Sequence, residues 1–327
     1  MDWVEAIGFQ KEAVHTGAVG HLLRSMEGVA SARALTGDQR IRAINDVRTE
    51  VKLSPLSRRP IDLAASIDIG EGPASLGVEV KVDSAWSPRQ LRETVPDGDT
   101  GVLLAVGYTA LAIDDRDMRA ISSPWRCVRP GLFAAIVRQH ADGDRELLHY
   151  ADQLGCEADD HQRAIEAVRA SSEVSWGRNP ATLEHWAYFG EVLREREDVA
   201  DWERKALISG PLMTLWIAPG DLAGDYLEFM GEATGRRSLC AKTYAPPDQL
   251  AARREHLIEL LRNADESQET ARPPRPSAKT CTAARFSLRG RTPTEAQQLV
   301  STLVSRIVPA PASHPTDARR NSRIDER

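Results

Sequence analysis

Two apolar segments joined by a short turn stand out in the first third of the chain. Residues 61–68 (IDLAASID) and 74–82 (ASLGVEVKV) are rich in aliphatic side chains, with a Gly- and Pro-containing turn, GEGP, at 70–73. Such a turn between two apolar runs is typical of a hairpin. A third run, residues 102–106 (VLLAV), lies between two glycines and predicts a buried central strand.

The flanking segments predict the rest of an N-terminal α/β unit. Apolar positions recur at helical spacing over residues 9–35, and Ser87-Pro88 is a helix-start signal for a short helix that ends at Thr94. The other predicted elements are a strand at the end of 41–53, a strand at 125–128 and a helix at 131–140. The order over residues 1–145 is therefore helix, three strands, helix, strand.

The remaining pattern predicts a C-terminal α+β unit over residues 146–308. We expect helices at 145–170, 181–206, 226–230, 249–262 and 293–308, and strands at 212–218, 238–244 and 281–288. The helix at 145–170 is charged, which predicts a well-solvated surface helix. The polar, Pro-rich residues 265–280 predict a flexible loop, and 309–327 predict a disordered tail.

Charged residues interrupt the two apolar strands. Glu79 and Lys81 are two positions apart and must share one face of their strand, while Val80 points to the other face. Asp62, on the neighbouring strand, is placed to face the same side. Buried unpaired charges cost several kcal/mol, and a divalent cation would resolve the conflict. Asp68 shares the face of Asp62, but six residues along a strand put it about 20 Å away.

The sequence resembles the PD-(D/E)XK nuclease superfamily, whose core carries an acid on one strand and a D/E-x-K triplet on the next. The similarity is to a bacterial branch with an upstream helix of the form E-x-x-[HS]-[TS]-x-x-x-x-LL, and it covers about the first 145 residues. The matching positions are Glu12, His15, Thr16, Leu22 and Leu23, a strand ending in Thr49-Glu50, and the pair Gln90-Leu91. One departure is that Ile61 separates Pro60 from Asp62.

The resemblance implies a restriction-endonuclease-like core, a mixed sheet flanked by helices, and a Mg²⁺-dependent site in which Mn²⁺ can replace Mg²⁺. Asp62 and Glu79 would bind the metal together with the Val80 carbonyl, and Lys81 would position the attacking water or stabilise developing charge. Glu12 and Gln90 would complete the catalytic set.

Several of these assignments have an alternative. Glu12 with His15 beside it suits the rim of a metal site, but an acid in a helix's first turn is also common on a solvated surface. For Gln90, an ordinary exposed glutamine is only a slightly weaker interpretation than a site residue. Glu-x-Lys recurs at Glu50-Val-Lys52 and at 203–205; we interpret Lys52 as a surface residue, and Glu50 as a further carboxylate whose role is open.

Composition limits the class of protein. The sequence contains no apolar run long enough to span a membrane and no signal-peptide pattern, so we expect a cytoplasmic protein that is not embedded in a membrane. Its four cysteines lack C-x-x-C spacing, so we expect free thiols and no zinc site. The net charge of −6 argues against nucleic-acid binding, but residues 236–327 carry 17 Lys/Arg against 10 Asp/Glu. This basic part could contact phosphates, or could be a solvated tail.

The resemblance, with Asp62, Glu79 and Lys81 all present, implies a metal-dependent nuclease that acts on nucleic acid. DNA is the expected substrate, and these residues do not distinguish it from RNA. The alternative is a catalytically inactive nucleic-acid- or protein-binding module on the same fold. The sequence leaves open a partner protein and a homodimer.

Overall fold

The computed structural model of the chain describes most of the first 170 residues and separate segments after them. The described residues are 11–53, 60–82, 91, 94, 99–111, 125–170, 183–193, 201–207, 210–216, 224–231, 237–275 and 277–307. Within them the fold is α/β, with a mixed five-stranded sheet flanked by helices and a second, antiparallel sheet of six strands.

Helices and strands are numbered separately along the chain. The helices are α1 (Glu12–Arg24), α2 (Gly28–Thr36), α3 (Tyr108–Leu111), α4 (Pro130–His140), α5 (Arg145–Ala170), α6 (Leu183–Leu193), α7 (Pro247–Leu260) and α8 (Pro293–Ile307). The strands are β1 (Ala43–Val51), β2 (Ile61–Asp68), β3 (Pro73–Val82), β4 (Thr100–Val106), β5 (Trp125–Val128), β6 (Asp201–Leu207), β7 (Gly210–Trp216), β8 (Asp225–Gly231), β9 (Arg237–Tyr244), β10 (Gln268–Thr270) and β11 (Thr280–Ser287).

The first sheet has the order β1-β2-β3-β4-β5. Strands β1, β2 and β3 pair antiparallel, whereas β4 is parallel to β3 and β5 is parallel to β4. The turn between β2 and β3 has Gly70 and Gly72 at φ angles of 82° and 134°, which glycine adopts without strain. The parallel strands have their carboxyl ends at the same edge of the sheet, where the end of β3 lies beside the end of β4.

The two faces of this sheet contact different parts of the molecule. Val80 and Leu104 point into a core formed with α1, α2, α4 and α5. Leu103 and Ala105 point to the other face, into a core shared with Phe189 of α6 and with side chains of β8 and α8. Full burial of one such aliphatic or aromatic side chain stabilises the fold by roughly 1.5–3 kcal/mol, so both faces of β4 contribute.

The second sheet has the order β10-β11-β9-β8-β7-β6, and all its pairs are antiparallel. Leu227 and Phe229 of β8 join the same core as Leu239 of β9, and α7 packs against β9 and β11. None of the helices in the ranges given above is long and apolar enough to cross a membrane.

Many predicted elements are confirmed. The strand Trp125–Val128 and the helix Arg145–Ala170 have the predicted limits. Strands β4, β9 and β11 and helices α4, α7 and α8 differ from their predicted limits by one or two residues. The predicted tail at 309–327 and most of the short helix that starts at Ser87 lie outside the described residues.

The single helix predicted for residues 9–35 is wrong as one element, because the chain forms α1 and α2 with a break at Ser25. Ser25 leaves the helix with an extended backbone, at φ −72° and ψ 171°. Gly28 begins the next helix so close to α1 that an added Cβ would lie 2.4 Å from the Leu23 carbonyl oxygen. Glycine is therefore required at the break.

Two predictions for the C-terminal half are also wrong, and a third segment contains a short strand that was not predicted. The helix predicted for 226–230 is strand β8, because Leu227 and Phe229 point into the core at the two-residue period of a strand. The helix predicted for 181–206 ends at Leu193, and residues 201–207 form β6, so the copy of Glu-x-Lys at 203–205 is on a strand. The predicted loop 265–280 contains the short strand β10, which pairs with β11.

Candidate functional site

Strand β3 directs Glu79 and Lys81 to one face of the sheet and Val80 to the other. Val80 is fully buried in the core on the α1 side. Glu79 and Lys81 are paired in register with Leu103 and Ala105 of β4, which face the opposite core. The alternation along a strand thus places a carboxylate and an ammonium side by side, on the face of the sheet that also carries Leu103 and Ala105.

Asp62 faces Glu79 across strands β2 and β3. The register pairs Leu63 with Val78, so the next residues outward are Asp62 and Glu79. The Asp62 Oδ2 accepts a hydrogen bond from the Val80 backbone N–H at 2.7 Å. At the far end of β2, the exposed Asp68 accepts the N–H of Gly70 at 2.7 Å and stabilises the turn. The structure therefore brings Asp62, and not Asp68, to the Glu79–Lys81 pair.

Glu79 and Lys81 form a buried ion pair. Lys81 Nζ lies 2.6 Å from Glu79 Oε1, and the two residues are 8% and 4% exposed. Burial raises the pKa of the Glu79 carboxyl above its ordinary value of 4.5; the Lys81 charge opposes this shift and the Asp62 charge adds to it. Burial alone would lower the pKa of Lys81, but the neighbouring carboxylates, Glu79 foremost, outweigh it and raise that pKa above 10.5. Lys81 is therefore an ammonium at neutral pH.

The pKa of Asp62 is also raised above its ordinary value of 3.8. Burial is the main cause, the hydrogen bond from Val80 and the charge of Lys81 oppose it, and Glu12 and Glu50 add to it. Several carboxylates thus act on one another around a single ammonium. An excess of negative charge in a buried setting is the electrostatic condition that a bound cation relieves.

Glu12 reaches this group from the other face of the sheet. It is the first residue of α1, and its Oε1 accepts a long hydrogen bond of 3.4 Å from the backbone N–H of Val82, at the end of β3. Glu50, on β1, has an unusual positive φ of 52° and acts on Asp62 through its charge. Lys52 is exposed, as expected for a surface residue.

His15 is not at the rim of the site, where the sequence suggested it. It is fully buried, and its Nδ1 lies at hydrogen-bond distance, 2.6 Å, from the Tyr150 hydroxyl of α5. The other residues of the helix motif have structural contacts as well. Thr16 Oγ1 donates to the carbonyl oxygen of Glu12 at 2.9 Å, and Leu22 is fully buried. Gln90 lies outside the described residues, so its position relative to Lys81 stays a prediction.

The two carboxylates of the site have the donor chemistry that a divalent cation prefers. Asp62 and Glu79 offer hard carboxylate oxygens on facing strands, which Mg²⁺ and Mn²⁺ prefer, and burial is the main cause of the raised pKa of both carboxyls. No group of three or more His, Cys, Asp or Glu side chains in the described ranges is arranged as a metal-ligand set. The residues fit a cation in their chemistry, with two protein carboxylates and with water or backbone oxygens as the other ligands.

The polar residues that α5 buries are not among those that the sequence pattern singles out. Tyr150, Glu157 and His161 lie on the inner side of a helix predicted to be well solvated, and His161 is only 7% exposed. The signal was present in the spacing, because Tyr150, Leu154, Glu157 and His161 follow one helical face at intervals of four, three and four residues.

Comparison of the chain with protein-family models, with curated proteins and with solved structures gave no match. The function must therefore be inferred from the geometry and chemistry of the residues described above.

Proposed function

We propose that this chain is a metal-dependent nuclease that hydrolyses phosphodiester bonds in nucleic acid, with DNA as the expected substrate. The observation that carries the proposal is that Asp62 faces Glu79 across two strands while Lys81 Nζ lies 2.6 Å from Glu79 Oε1. Restriction, phage defence and repair are the settings in which such an activity is expected.

We further propose a restriction-endonuclease-like core for residues 1–145. What supports it is the order of the elements: α1 and α2 precede three antiparallel strands, and β4 then returns parallel to β3. A parallel return requires a crossover connection rather than a tight turn. Leu91, which is helical and fully buried, lies in that connection.

Asp62, Glu79 and the Val80 carbonyl are the groups that would hold Mg²⁺. The bound cation would acidify water and neutralise charge on the scissile phosphate. The Lys81 ammonium remains charged, and it stabilises negative charge that develops on the phosphate or orients the attacking water. The Asp62–Val80 hydrogen bond fixes the carboxylate against the strand that carries the other two groups. Glu12 adds a carboxylate at the end of β3.

A second candidate is a nucleic-acid-binding or protein-binding module without turnover. The observation that favours it is the ion pair between Glu79 and Lys81. Glu79 Oε1 is already bound by the Lys81 ammonium, and no group of three side chains in the described ranges is arranged as a metal-ligand set. In this reading the buried ion pair is a structural element of the sheet.

Cleavage of labelled single- and double-stranded DNA and RNA, with Mg²⁺ or Mn²⁺ and with EDTA, tests the proposal. Wild type is compared with Glu79→Ala and Lys81→Ala, and Lys52→Ala is the matched control because it changes the second Glu-Val-Lys triplet. Circular dichroism verifies that each variant is folded. We expect metal-dependent cleavage that Glu79→Ala and Lys81→Ala each lower by at least about 10²–10³-fold and Lys52→Ala leaves unchanged.

The other outcomes assign the alternatives. If Lys52→Ala is the inactive variant, the triplet has been assigned to the wrong strand. Tight nucleic-acid binding that is independent of metal, without cleavage of any substrate, would establish the binding module instead. The same assay distinguishes DNA from RNA, because each substrate is present as a separate labelled species.

A further inference from the structure

Helix α5 buries a polar stripe beside the candidate site. Tyr150, Leu154, Glu157 and His161 lie on one side of the helix, with Tyr150 and Leu154 fully buried and His161 7% exposed. Leaving a buried polar group without a partner costs about 1–3 kcal/mol, so such groups persist where they are bonded. Two contacts of this stripe, one from Tyr150 and one from Glu157, are made with α1 and with the turn after β4, which both lie next to the end of β3.

The first bond fixes α1. The Tyr150 hydroxyl and His15 Nδ1 lie 2.6 Å apart, both residues are fully buried, and Phe133 packs edge-on against the Tyr150 ring at 6.0 Å between ring centres. His15 is three residues after Glu12, on the same side of α1 and one turn away. Tyr150 therefore contacts α1 one turn away from Glu12, whose side chain reaches the Val82 N–H.

The second bond fixes the end of β4. Glu157 Oε1 accepts the backbone N–H of Gly107 at 2.6 Å, and His161 Nε2 lies 3.5 Å from the same oxygen. Gly107 follows the last residue of β4 and has a φ of 62°, which glycine adopts readily. The register pairs Lys81 with Ala105 and Val82 with Val106, so Gly107 is at the edge of the sheet where β3 also ends.

We propose that Tyr150 and Glu157 are positioning residues of the candidate site, Tyr150 acting through His15 on Glu12 and Glu157 acting on the turn after β4. The proposal rests on the nuclease function proposed above for its catalytic consequence. Its structural consequence is independent of catalysis: loss of either bond should loosen the element that the bond contacts. Helix α5 thereby couples two elements that approach β3 from different directions.

Two variants with matched controls test this. Tyr150→Phe removes only the hydroxyl, and Tyr188→Phe is its control, because the buried Tyr188 also donates its hydroxyl, to the Arg291 carbonyl at 3.2 Å in the C-terminal half. Glu157→Met removes the acceptor for Gly107, whereas Glu157→Gln retains an acceptor oxygen. Amide hydrogen exchange is measured on each protein without metal or nucleic acid, and cleavage rates are measured at saturating Mg²⁺.

We expect Tyr150→Phe to speed exchange in residues 12–20, and Glu157→Met to speed it in residues 107–111, while Tyr188→Phe changes neither. We expect Tyr150→Phe to lower the cleavage rate roughly tenfold. In a Glu12→Gln background the same substitution should change the rate less than about twofold, since coupled residues are non-additive. Glu157→Gln should restore most of the rate that Glu157→Met loses.

Unchanged exchange in residues 12–20 of Tyr150→Phe would overturn the proposal, whatever the catalytic result. So would a full tenfold loss on top of Glu12→Gln, because Tyr150 would then act by another route. A wild type that cleaves no substrate overturns the nuclease function, and the exchange experiment still decides whether α5 positions α1 and the turn after β4.

Discussion

The Asp62 carboxylate accepts the backbone N–H of Val80 at 2.7 Å, just beyond the last paired residues of β2 and β3. The Asp62 side chain thus accepts a backbone N–H at the point where the pairing between β2 and β3 ends. This one contact ties the acid of β2 to the middle residue of the triplet on β3. The spacing between Asp62 and Glu79 is therefore fixed by backbone structure rather than by flexible side chains alone.

Substitution of Asp62 separates its charge from its hydrogen bond. Asp62→Asn retains an acceptor for Val80 and loses the charge, so we expect a free energy of unfolding within about 1 kcal/mol of wild type and a loss of cleavage. Asp62→Ala loses both, and we expect an additional destabilisation of about 1.5–3 kcal/mol. Urea unfolding and the cleavage assay measure the two effects. Full activity of Asp62→Asn would remove this carboxylate from the proposed site.

The Glu79–Lys81 pair predicts a strong dependence of each residue on the other. Lys81→Met leaves the buried Glu79 without its ammonium, and we expect it to lower the free energy of unfolding by about 3–5 kcal/mol. Glu79→Gln/Lys81→Met removes both charges and should recover most of that loss. Urea unfolding of wild type, of Glu79→Gln, of Lys81→Met and of the double variant gives the coupling free energy between the two residues. Additive single-variant effects would contradict a direct buried pair.

The pH dependence of cleavage follows from the raised pKa values of Asp62 and Glu79. Burial favours their protonated forms, so both carboxyls take up protons at a pH above the ordinary values of 3.8 and 4.5. A protonated carboxyl binds Mg²⁺ poorly, and the rate should therefore fall as the pH drops through these raised pKa values. The midpoint should move to lower pH as the Mg²⁺ concentration rises, because metal and protons compete. A midpoint that does not change with Mg²⁺ would argue against metal binding at these acids.

Local sequence patterns predict the strands that carry the site, but they do not predict most of the long-range contacts that hold the surrounding elements in place. The apolar run of β4 and the shared face of Glu79 and Lys81 follow from the two-residue period alone. The contact between His15 and Tyr150 joins residues 135 positions apart, and no local pattern specifies such a pair. The short apolar run of β8 fits the helical period as well as the strand period, and the pairing of β8 with β7 and β9 decides for a strand.

Acid should destabilise the protein through His161. Its burial lowers the pKa of the imidazole from 6.5 to about 4, and the charge of Asp160 offsets this only in part. The unfolded chain therefore binds a proton below pH 6.5 that the folded protein takes up only near pH 4, so stability falls across this window as the pH is lowered. Between pH 7.5 and pH 5 the loss due to this group is about 2 kcal/mol. Urea unfolding at both pH values should show a smaller loss in His161→Gln than in wild type, with His256→Gln, an exposed histidine of α7, behaving like wild type. Equal losses in wild type and His161→Gln would show that this histidine is not buried in its neutral form.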